Sequence, residues 1–168
     1  MSYTLLRVFC STPGDLEEER QAFHDVLAEL NEFDAMPKGL LLLPVSIVPK
    51  MANKAFFRGV VDENIRACEF FVQVLHNSWG PPARNFEREY SLACQLKADP
   101  TSLMKEVAVF FKAADGVEVE PGILQLRSSA QSQQDSPTYE FASLEEYKRQ
   151  LRGQLSAWLR SIEDQPPR

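Results

Sequence analysis

One carboxylate in the chain has the position that acid, base or nucleophile chemistry requires. Glu89 lies in the stretch FEREYSLACQL, where Phe86, Tyr90 and Ala93 recur at the spacing of one helix face. This phase places Glu89 between that face and Leu96, on the buried side of a predicted helix. Burial raises the pKa of a carboxyl group, which suits it to proton transfer or nucleophilic attack. The alternative is a structural ion pair with Arg58, Arg66 or Arg84.

Hydroxyl and aromatic side chains follow two of the predicted strands. Ser11 and Thr12 come after one short apolar run, and Ser78 and Trp79 come after another. The hydroxyl groups could orient a sugar or a phosphate. The indole ring is either a plug of the core or a flat wall on which a base can stack. Phe86, at the start of the next predicted helix, could also stack on a ring.

The segment STPGDLEEER, residues 11–20, has the place of a phosphate-binding loop before a helix. Its four acids would repel a phosphate and instead complement the helix dipole. Neither GxxxxGK[ST] nor GxGxxG occurs in the sequence, which excludes a P-loop or a dinucleotide fingerprint. The three cysteines form no CxxC and the two histidines are far apart, so no metal site is predicted.

Length and composition predict one compact domain over residues 1–163, followed by a tail or linker over 164–168. The chain has 168 residues, 44% of them hydrophobic, which allows a sizeable core. A net charge of −6 without a dense basic cluster disfavours nucleic acid as a partner. The longest apolar run, 40–49, is too short to span a bilayer, and no signal peptide is recognisable. These features predict a cytoplasmic protein without membrane contact.

Five apolar runs alternate with helical periodicity along the chain. The alternation predicts a three-layer α/β sandwich with a mostly parallel five-stranded sheet, of flavodoxin-like or TIR-like type, in the strand order 2-1-3-4-5. Residues 49–58 and 128–136 are predicted as loops. The predicted strands span 5–10, 40–48, 70–75, 107–111 and 139–141, and the predicted helices span 16–30, 60–67, 86–96 and 144–162, with a short helical piece at 122–127.

The strand order has a consequence for function. Ligands of open α/β sheets bind where the order reverses, beyond the carboxyl ends of the strands. In this order the reversal lies between the first and third strands. The expectation is therefore that one site brings together Ser11, Thr12, Asn77, Ser78, Trp79 and Glu89.

Four segments carry a resemblance to a known family. VFCSTPGDLEEER, NIRACEFFVQVL, SWGPP and FEREYSLA are similar to the TIR-like domain of unknown function found at the N-termini of NACHT/STAND-type NTPase proteins. TIR domains that act on NAD use a glutamate at the start of a helix after a strand, and Glu89 is similar to that glutamate by position. The resemblance implies an N-ribosyl hydrolase that releases nicotinamide from NAD, as an effector in immunity, antiphage defence or cell-death signalling. Glu89 would stabilise the developing positive charge, with Ser11, Thr12, Ser78, Trp79 and Phe86 as the residues that bind NAD.

The resemblance has further implications for cofactors and partners. NAD would be the substrate, with no resident cofactor and no metal. The protein would form a homo-oligomer, and NTPase or sensor domains could follow in a longer chain. Two alternatives remain open: a non-catalytic interaction or scaffold domain of a larger signalling protein, and a nucleoside deoxyribosyltransferase-like enzyme with a catalytic glutamate.

Overall fold

The computed structural model describes residues 2–13, 15–46, 54–79, 86–132 and 136–163. The predicted tail, 164–168, lies outside the described residues. A π-helical turn, Asn31–Ala35, and a 3-10 turn, Met36–Lys38, follow the first helix. The strands are β1 (Thr4–Ser11), β2 (Leu40–Val45), β3 (Phe70–Leu75), β4 (Glu106–Lys112) and β5 (Thr138–Phe141), and the helices are α1 (Glu17–Leu30), α2 (Lys54–Arg66), α3 (Phe86–Ala98), α4 (Pro121–Ser132) and α5 (Leu144–Glu163).

The five strands form one parallel sheet in the order β2-β1-β3-β4-β5. This result confirms the predicted α/β fold class and strand order, which are those of a flavodoxin-like fold. β3 pairs with a strand on each side, and all of its residues are buried. The register of the two central strands places Ser11, the last residue of β1, opposite Gln73 of β3.

Different helices cover the two faces of the sheet. On one face, Val8, Val72 and Phe110 share a hydrophobic cluster with residues of α1 and α5. On the other face, Phe9 and Phe71 cluster with residues of α2 and α3, and their rings stack with centroids 5.6 Å apart. This division follows from strand geometry, because successive side chains point to opposite faces. The result is a helix–sheet–helix arrangement of three layers.

The longest helix, α5, packs against α1 and closes one layer. Its apolar stripe includes Tyr147, Leu155 and Trp158, all of them buried. The helix begins with a side-chain cap, because the N–H of Glu146 donates to Oγ of Ser143 at 3.2 Å. Across the described ranges, no helix combines the length and the apolar character that crossing a membrane requires.

Three element boundaries differ from those predicted by three residues or more. α2 begins at Lys54, inside a predicted loop. The prediction missed its first turns because Gly59 interrupts the apolar pattern, although it does not end the helix. α4 continues to Ser132 although its sequence becomes polar at Ser128, since polar residues on the solvent side of a helix do not end it. β2 ends at Val45, three residues before its predicted end.

Strand β2 lies at the edge of the sheet, as its proline predicted. The side chain of Asn31 pairs with the backbone of this strand. Its Nδ2 donates to the carbonyl of Leu42 at 2.9 Å, and the N–H of Leu42 donates to its Oδ1 at 2.7 Å. Pro44, two residues further along, has no N–H to satisfy. The edge strand therefore has its central backbone groups satisfied without another strand.

Candidate ligand-binding site

Buried polar residues are concentrated at one end of the sheet. Among the described residues, six polar or charged side chains are buried: Ser11, Thr12, Glu19, Gln73, Glu89 and Gln154. All but Gln154 lie at the end of β1, in β3 opposite that end, or in the first turns of α1 and α3. These positions surround the carboxyl edge where the strand order reverses.

Glu89 lies in the first turn of α3 and is 1% exposed, which confirms the prediction that it faces the core. The hydroxyl of Ser11 donates to its Oε1 at 3.3 Å, so the predicted proximity of these two residues is also confirmed. Beside it, Arg88 binds Asp62 of α2 through two hydrogen bonds of 2.8 Å. The pKa of Arg88 is raised, chiefly by the hydrogen bond to Asp62, against an opposing effect of burial and with a smaller contribution from Glu89.

Gln73 is a functional candidate that the sequence analysis missed. It is fully buried, and its Nε2 donates to the carbonyl of Ser11 at 3.0 Å. Its Oε1 is buried and has no hydrogen-bond donor among the described residues. The available signal was the single polar residue within the apolar strand FFVQVL. Ser11, Gln73 and Glu89 together are called the Ser11 cluster below.

Thr12 does not join the Ser11 cluster. Its hydroxyl lies 3.0 Å from Sγ of Cys10, whose side chain belongs to the opposite face of the sheet. Near that face, the carboxylate of Glu19 forms an ion pair with Lys112 at 2.8 Å. Burial raises the pKa of the Tyr147 hydroxyl well above its usual value, with Cys10 and Glu19 adding to the effect. The structure therefore separates Ser11 and Thr12, which the sequence analysis placed in one site.

Ser78 lines an open cleft of about 260 Å³ between the loops that follow β3 and β4. The cleft is also lined by Asn77, Glu118, Val119, Glu120 and Pro121. Two hydrogen bonds with backbone donors join the two loops. The N–H of Trp79 donates to Oε2 of Glu120 at 3.2 Å, and the N–H of Glu120 donates to the carbonyl of Asn77 at 2.8 Å. The cleft lies at the carboxyl edge, on the β4 side of β3 rather than the β1 side.

The two aromatic candidates have different surroundings from those predicted. Trp79 is half-buried and packs against a cluster that includes Val109 and Ile123, on the β4 side. Its Nε1 has no acceptor among the described residues, and a Cβ added at Gly122 would lie 3.0 Å from that atom. Phe86 is 4% exposed, so its ring is part of the interior. Neither ring is placed as an open stacking surface beside the Ser11 cluster.

A metal site was not predicted, and in the described ranges no three His, Cys, Asp or Glu side chains are grouped so that they could hold a metal ion. None of the three cysteines, all of them in the described ranges, forms a disulfide: Cys10 and Cys68 are buried, and Cys94 is half-buried. Burial raises the pKa of the Cys68 thiol to about 12 and also raises that of Cys94. High thiol pKa values disfavour the thiolate, so neither cysteine has the character of a nucleophile.

No protein-family model matches the chain, and no curated protein matches it. Among solved structures, it is similar to general stress protein 14 of Treponema denticola, determined in complex with FMN. The two share 11% sequence identity, over 95% of this chain and 99% of the other, with a TM-score of 0.41.

These comparisons correct the resemblance stated from the sequence. The TIR-like assignment is wrong: no family model supports it, and the similar structure is an FMN complex of a stress protein. The prediction of NAD hydrolysis, with its two alternatives, rested on that resemblance and is wrong as well. The prediction that the chain takes no cofactor is contradicted by the FMN of the similar structure. The physical reason is that a polar strand end, an acid-rich helix start and a buried glutamate are features that many parallel α/β domains share.

Proposed function

We propose that this domain binds a small organic ligand without a phosphate group at the carboxyl edge of its sheet. The observation that carries the proposal is the placement of the buried polar residues. Of six such residues in the described chain, five surround this edge. Parallel sheets of this order bind their ligands at the same place.

Burial of polar groups has a cost that packing alone does not offset. A buried polar group without its hydrogen-bond partner destabilises a protein by about 1–3 kcal/mol. A purely structural role would spread such groups over the core, wherever helices and strands need a tie. Here the core is apolar along β3 and β4 except for Gln73, which lies opposite the end of β1. Of the polar side chains at this edge, Gln73 keeps an Oε1 without a donor among the described residues, and a ligand bound here would satisfy it.

The described residues fit FMN poorly, because FMN carries a phosphate. The first turn of α1, where a parallel sheet offers its helix dipole to an anion, holds Glu17, Glu18 and Glu19. The nearby cations are occupied: Lys112 binds Glu19, and Arg20 donates to the main-chain carbonyls of residues 12 and 13. A phosphate would meet three carboxylates and no available cation among these residues. The ligand that the edge favours is therefore neutral or positively charged.

Each candidate residue has a distinct role in this proposal. Glu89 and Ser11 form the polar wall on the β1 side, and the Oε1 of Gln73 adds an acceptor to it. Ser78 lines the cleft on the β4 side, where it can contact the outer part of a ligand. Trp79 supports the wall of that cleft from the core. The hydroxyl of Thr12 lies beside Cys10, on the other face of the sheet, so no contact with the ligand is assigned to it.

The test maps where small organic probes bind. Backbone amide resonances are followed while phenol, acetamide and imidazole are added in turn at neutral pH. The expected result is that all three probes shift the amides of residues 11–12, 73–79 and 86–90 and leave the amino edge of the sheet unchanged. Shifts scattered over the surface, or confined to other residues, would contradict the proposal.

A matched pair of variants separates binding from a change of fold. Glu89→Gln replaces a buried carboxyl group at the site by an amide, whereas Glu87→Gln makes the same change at an exposed position on the same helix. Probe affinity is expected to fall for the first variant and to stay at the wild-type value for the second. Equal responses of the two variants would remove Glu89 from the site.

A further inference from the structure

We propose that the cleft between the loops after β3 and β4 binds an amphipathic organic cation, a charged nitrogen group joined to an apolar body. The proposal rests on the proposed function, because it names the charge and the shape of the ligand at one part of that site. Three observations carry it: the carboxylates that line the cleft, the engagement of the neighbouring protein cations elsewhere, and the apolar side chains exposed beside the cleft.

The cleft is an open cavity of about 260 Å³, which is large enough for a small organic group. One wall is the loop after β3, with Asn77 and Ser78, and the other is the segment 118–121, which ends at the start of α4. The hydrogen bonds from Trp79 to Glu120 and from Glu120 to Asn77 hold the two walls together. A ligand can therefore enter a cleft that is already formed.

Carboxylates give the cleft its charge. Glu118 and Glu120 both line it, and the segment 113–120 contains three acids and no lysine, arginine or histidine. The Oε2 of Glu120 accepts the N–H of Trp79, which leaves its Oε1 as a further acceptor. No lysine or arginine of the described ranges forms an ion pair with either carboxylate of the cleft.

The cations of the two flanking elements are engaged elsewhere. Lys112, the one basic residue of β4, pairs with Glu19 at 2.8 Å. Arg127, the one basic residue of α4, binds Glu140 of β5 and lies over the ring of Phe111. The elements that build the cleft therefore leave its negative charge unbalanced, which favours a ligand that brings a positive charge.

The start of α4 does not make the cleft an anion site. A helix N-terminus binds anions through its unused N–H groups. Here Pro121 has no N–H, and the N–H groups of Ile123 and Leu124 both donate to the carbonyl of Glu120. The helix end therefore offers few donors to an anion, and the two carboxylates repel it.

Exposed apolar side chains beside the cleft favour a ligand with an apolar body. Val117, which is 44% exposed, precedes the lining residue Glu118, and Leu124 is 50% exposed. Leu124 follows Pro121 by three positions, so the two lie on the same side of α4. Single exposed apolar residues are common, but Val119 lines the cleft as well and adds apolar surface inside it. A ligand that pairs with the carboxylates can place its apolar body on this surface.

An acidic loop that is simply solvated is the competing explanation. Exposed carboxylates need no protein partner, because water and dissolved ions satisfy them. Such a loop would attract any small cation weakly, without saturation and without regard to an apolar body. A binding cleft takes one molecule, and its affinity depends on both parts of that molecule.

Four probes provide the test: 2-phenylethylammonium, 2-phenylethanol, 3-phenylpropionate and methylammonium. The first three share an apolar body and differ in charge, and the fourth has the charged group alone. Dissociation constants are measured at neutral pH from the amide shifts of residues 77–78 and 117–120. We expect 2-phenylethanol to bind about fivefold more weakly than 2-phenylethylammonium, because exposed carboxylates contribute modestly to the affinity of a cation. Neither 3-phenylpropionate nor methylammonium should show a saturable shift.

Two variants with matched controls separate the two parts of the ligand. Glu118→Gln should reduce the preference for 2-phenylethylammonium over 2-phenylethanol by about twofold to threefold, whereas Glu87→Gln, on α3, should leave it unchanged. Leu124→Ala should weaken both probes by about twofold to threefold, because it removes apolar contact area. Leu103→Ala, in the segment before β4, should weaken neither. All four positions are exposed, so the variants are expected to fold.

The outcomes separate this proposal from the proposed function. Equal affinity of 2-phenylethylammonium and 2-phenylethanol, tighter binding of 3-phenylpropionate, or an unchanged preference in Glu118→Gln would overturn the cationic ligand and leave a ligand site at the carboxyl edge. Equally tight binding of methylammonium would overturn the apolar body.

A failure of all four probes to shift the cleft residues would overturn the cleft as the site of the cation. The proposed function would fail with it only if phenol, acetamide and imidazole also left residues 11–12, 73–79 and 86–90 unchanged. The expected order of affinities, with the loss of preference in Glu118→Gln, supports both.

Discussion

The hydroxyl of Ser11 donates to the carboxylate of Glu89 over 3.3 Å, although 78 positions separate the two residues in the chain. Ser11 ends β1 and Glu89 lies in the first turn of α3, so the contact joins two different α/β units of the fold. Both side chains are almost completely excluded from solvent. A single buried hydrogen bond thus fixes the distance between the two sides of the proposed site.

Removal of this hydrogen bond should lower stability measurably. Ser11→Ala removes the donor and leaves a buried carboxylate with one partner fewer, which typically costs about 1–2 kcal/mol. Urea unfolding measures the change. Ser91→Ala, on the exposed side of the same helix, should change the free energy of unfolding by less than about 0.5 kcal/mol. An equal loss of stability in both variants would show that the hydrogen bond from Ser11 to Glu89 stabilises the fold no more than an exposed serine does.

The close approach of Trp79 to Gly122 gives a second test. Gly122→Ala places a Cβ 3.0 Å from Nε1 of Trp79, so the indole or the start of α4 must move. We expect lower stability and altered amide shifts at the cleft residues 77–78. Gly153→Ala is the matched control, because a Cβ there meets no described atom within 4 Å and lies inside a long helix. That variant should gain about 0.5–1 kcal/mol from helix propensity.

Stability should decrease at alkaline pH because of Cys68. Burial, with a smaller contribution from Glu69, raises the pKa of this thiol to about 12, whereas an unfolded cysteine has a pKa of about 8.5. The folded state holds its proton over that interval and the unfolded state loses it. Its stabilising contribution is therefore complete below about pH 8.5 and decreases by about 1.4 kcal/mol per pH unit above it.

Measurements of unfolding across this interval test the assignment. The free energy of unfolding should decrease less steeply with pH in Cys68→Ala, because this variant lacks the titrating thiol. Tyr90, which is half-buried, also has a raised pKa, so part of the decrease with pH should remain in that variant. An unchanged slope would mean that Cys68 does not titrate differently in the folded state.

FMN is expected to bind weakly or not at all, because the first turn of α1 is acidic. Fluorescence polarisation of FMN measures this directly as protein is added. Riboflavin is the control, since it has the same ring system and ribityl chain without the phosphate. The polarisation of FMN should stay below that of riboflavin at every protein concentration. Saturable binding of FMN that is as tight as that of riboflavin, or tighter, would contradict the inference that the acidic first turn of α1 repels a phosphate.

The fold could be predicted because its signals are local and repeated. Each strand is a short apolar run, each helix has its own period, and parallel sheets join such units in few orders. The burial of Glu89 followed from helical phase alone, through its place beside Phe86 and Ala93. The boundary of α2 was harder, since Gly59 weakens the pattern of a helix that tertiary packing nevertheless holds.

The site could be predicted only in part. Neighbouring residues of a strand point to opposite faces, so Ser11 and Thr12 could have been separated from the sequence by that rule. The side on which Trp79 packs could not, because it depends on contacts with Val109 and Ile123, which are distant in the chain. The importance of Gln73 depends on an unsatisfied oxygen, which only coordinates reveal.

Gln73 has a consequence for folding that is independent of any ligand. Its amide reaches the carbonyl of Ser11 only when β3 is aligned with β1 as observed. A shift of β3 by one residue would point Gln73 toward the apolar face covered by α1 and α5. It would also point Val72 or Val74 toward the other face of the sheet, where Ser11 lies. A strand of six hydrophobic residues could slide without such a penalty. The single glutamine in β3 therefore specifies the register of the two central strands, because only the observed alignment lets its amide bond to β1.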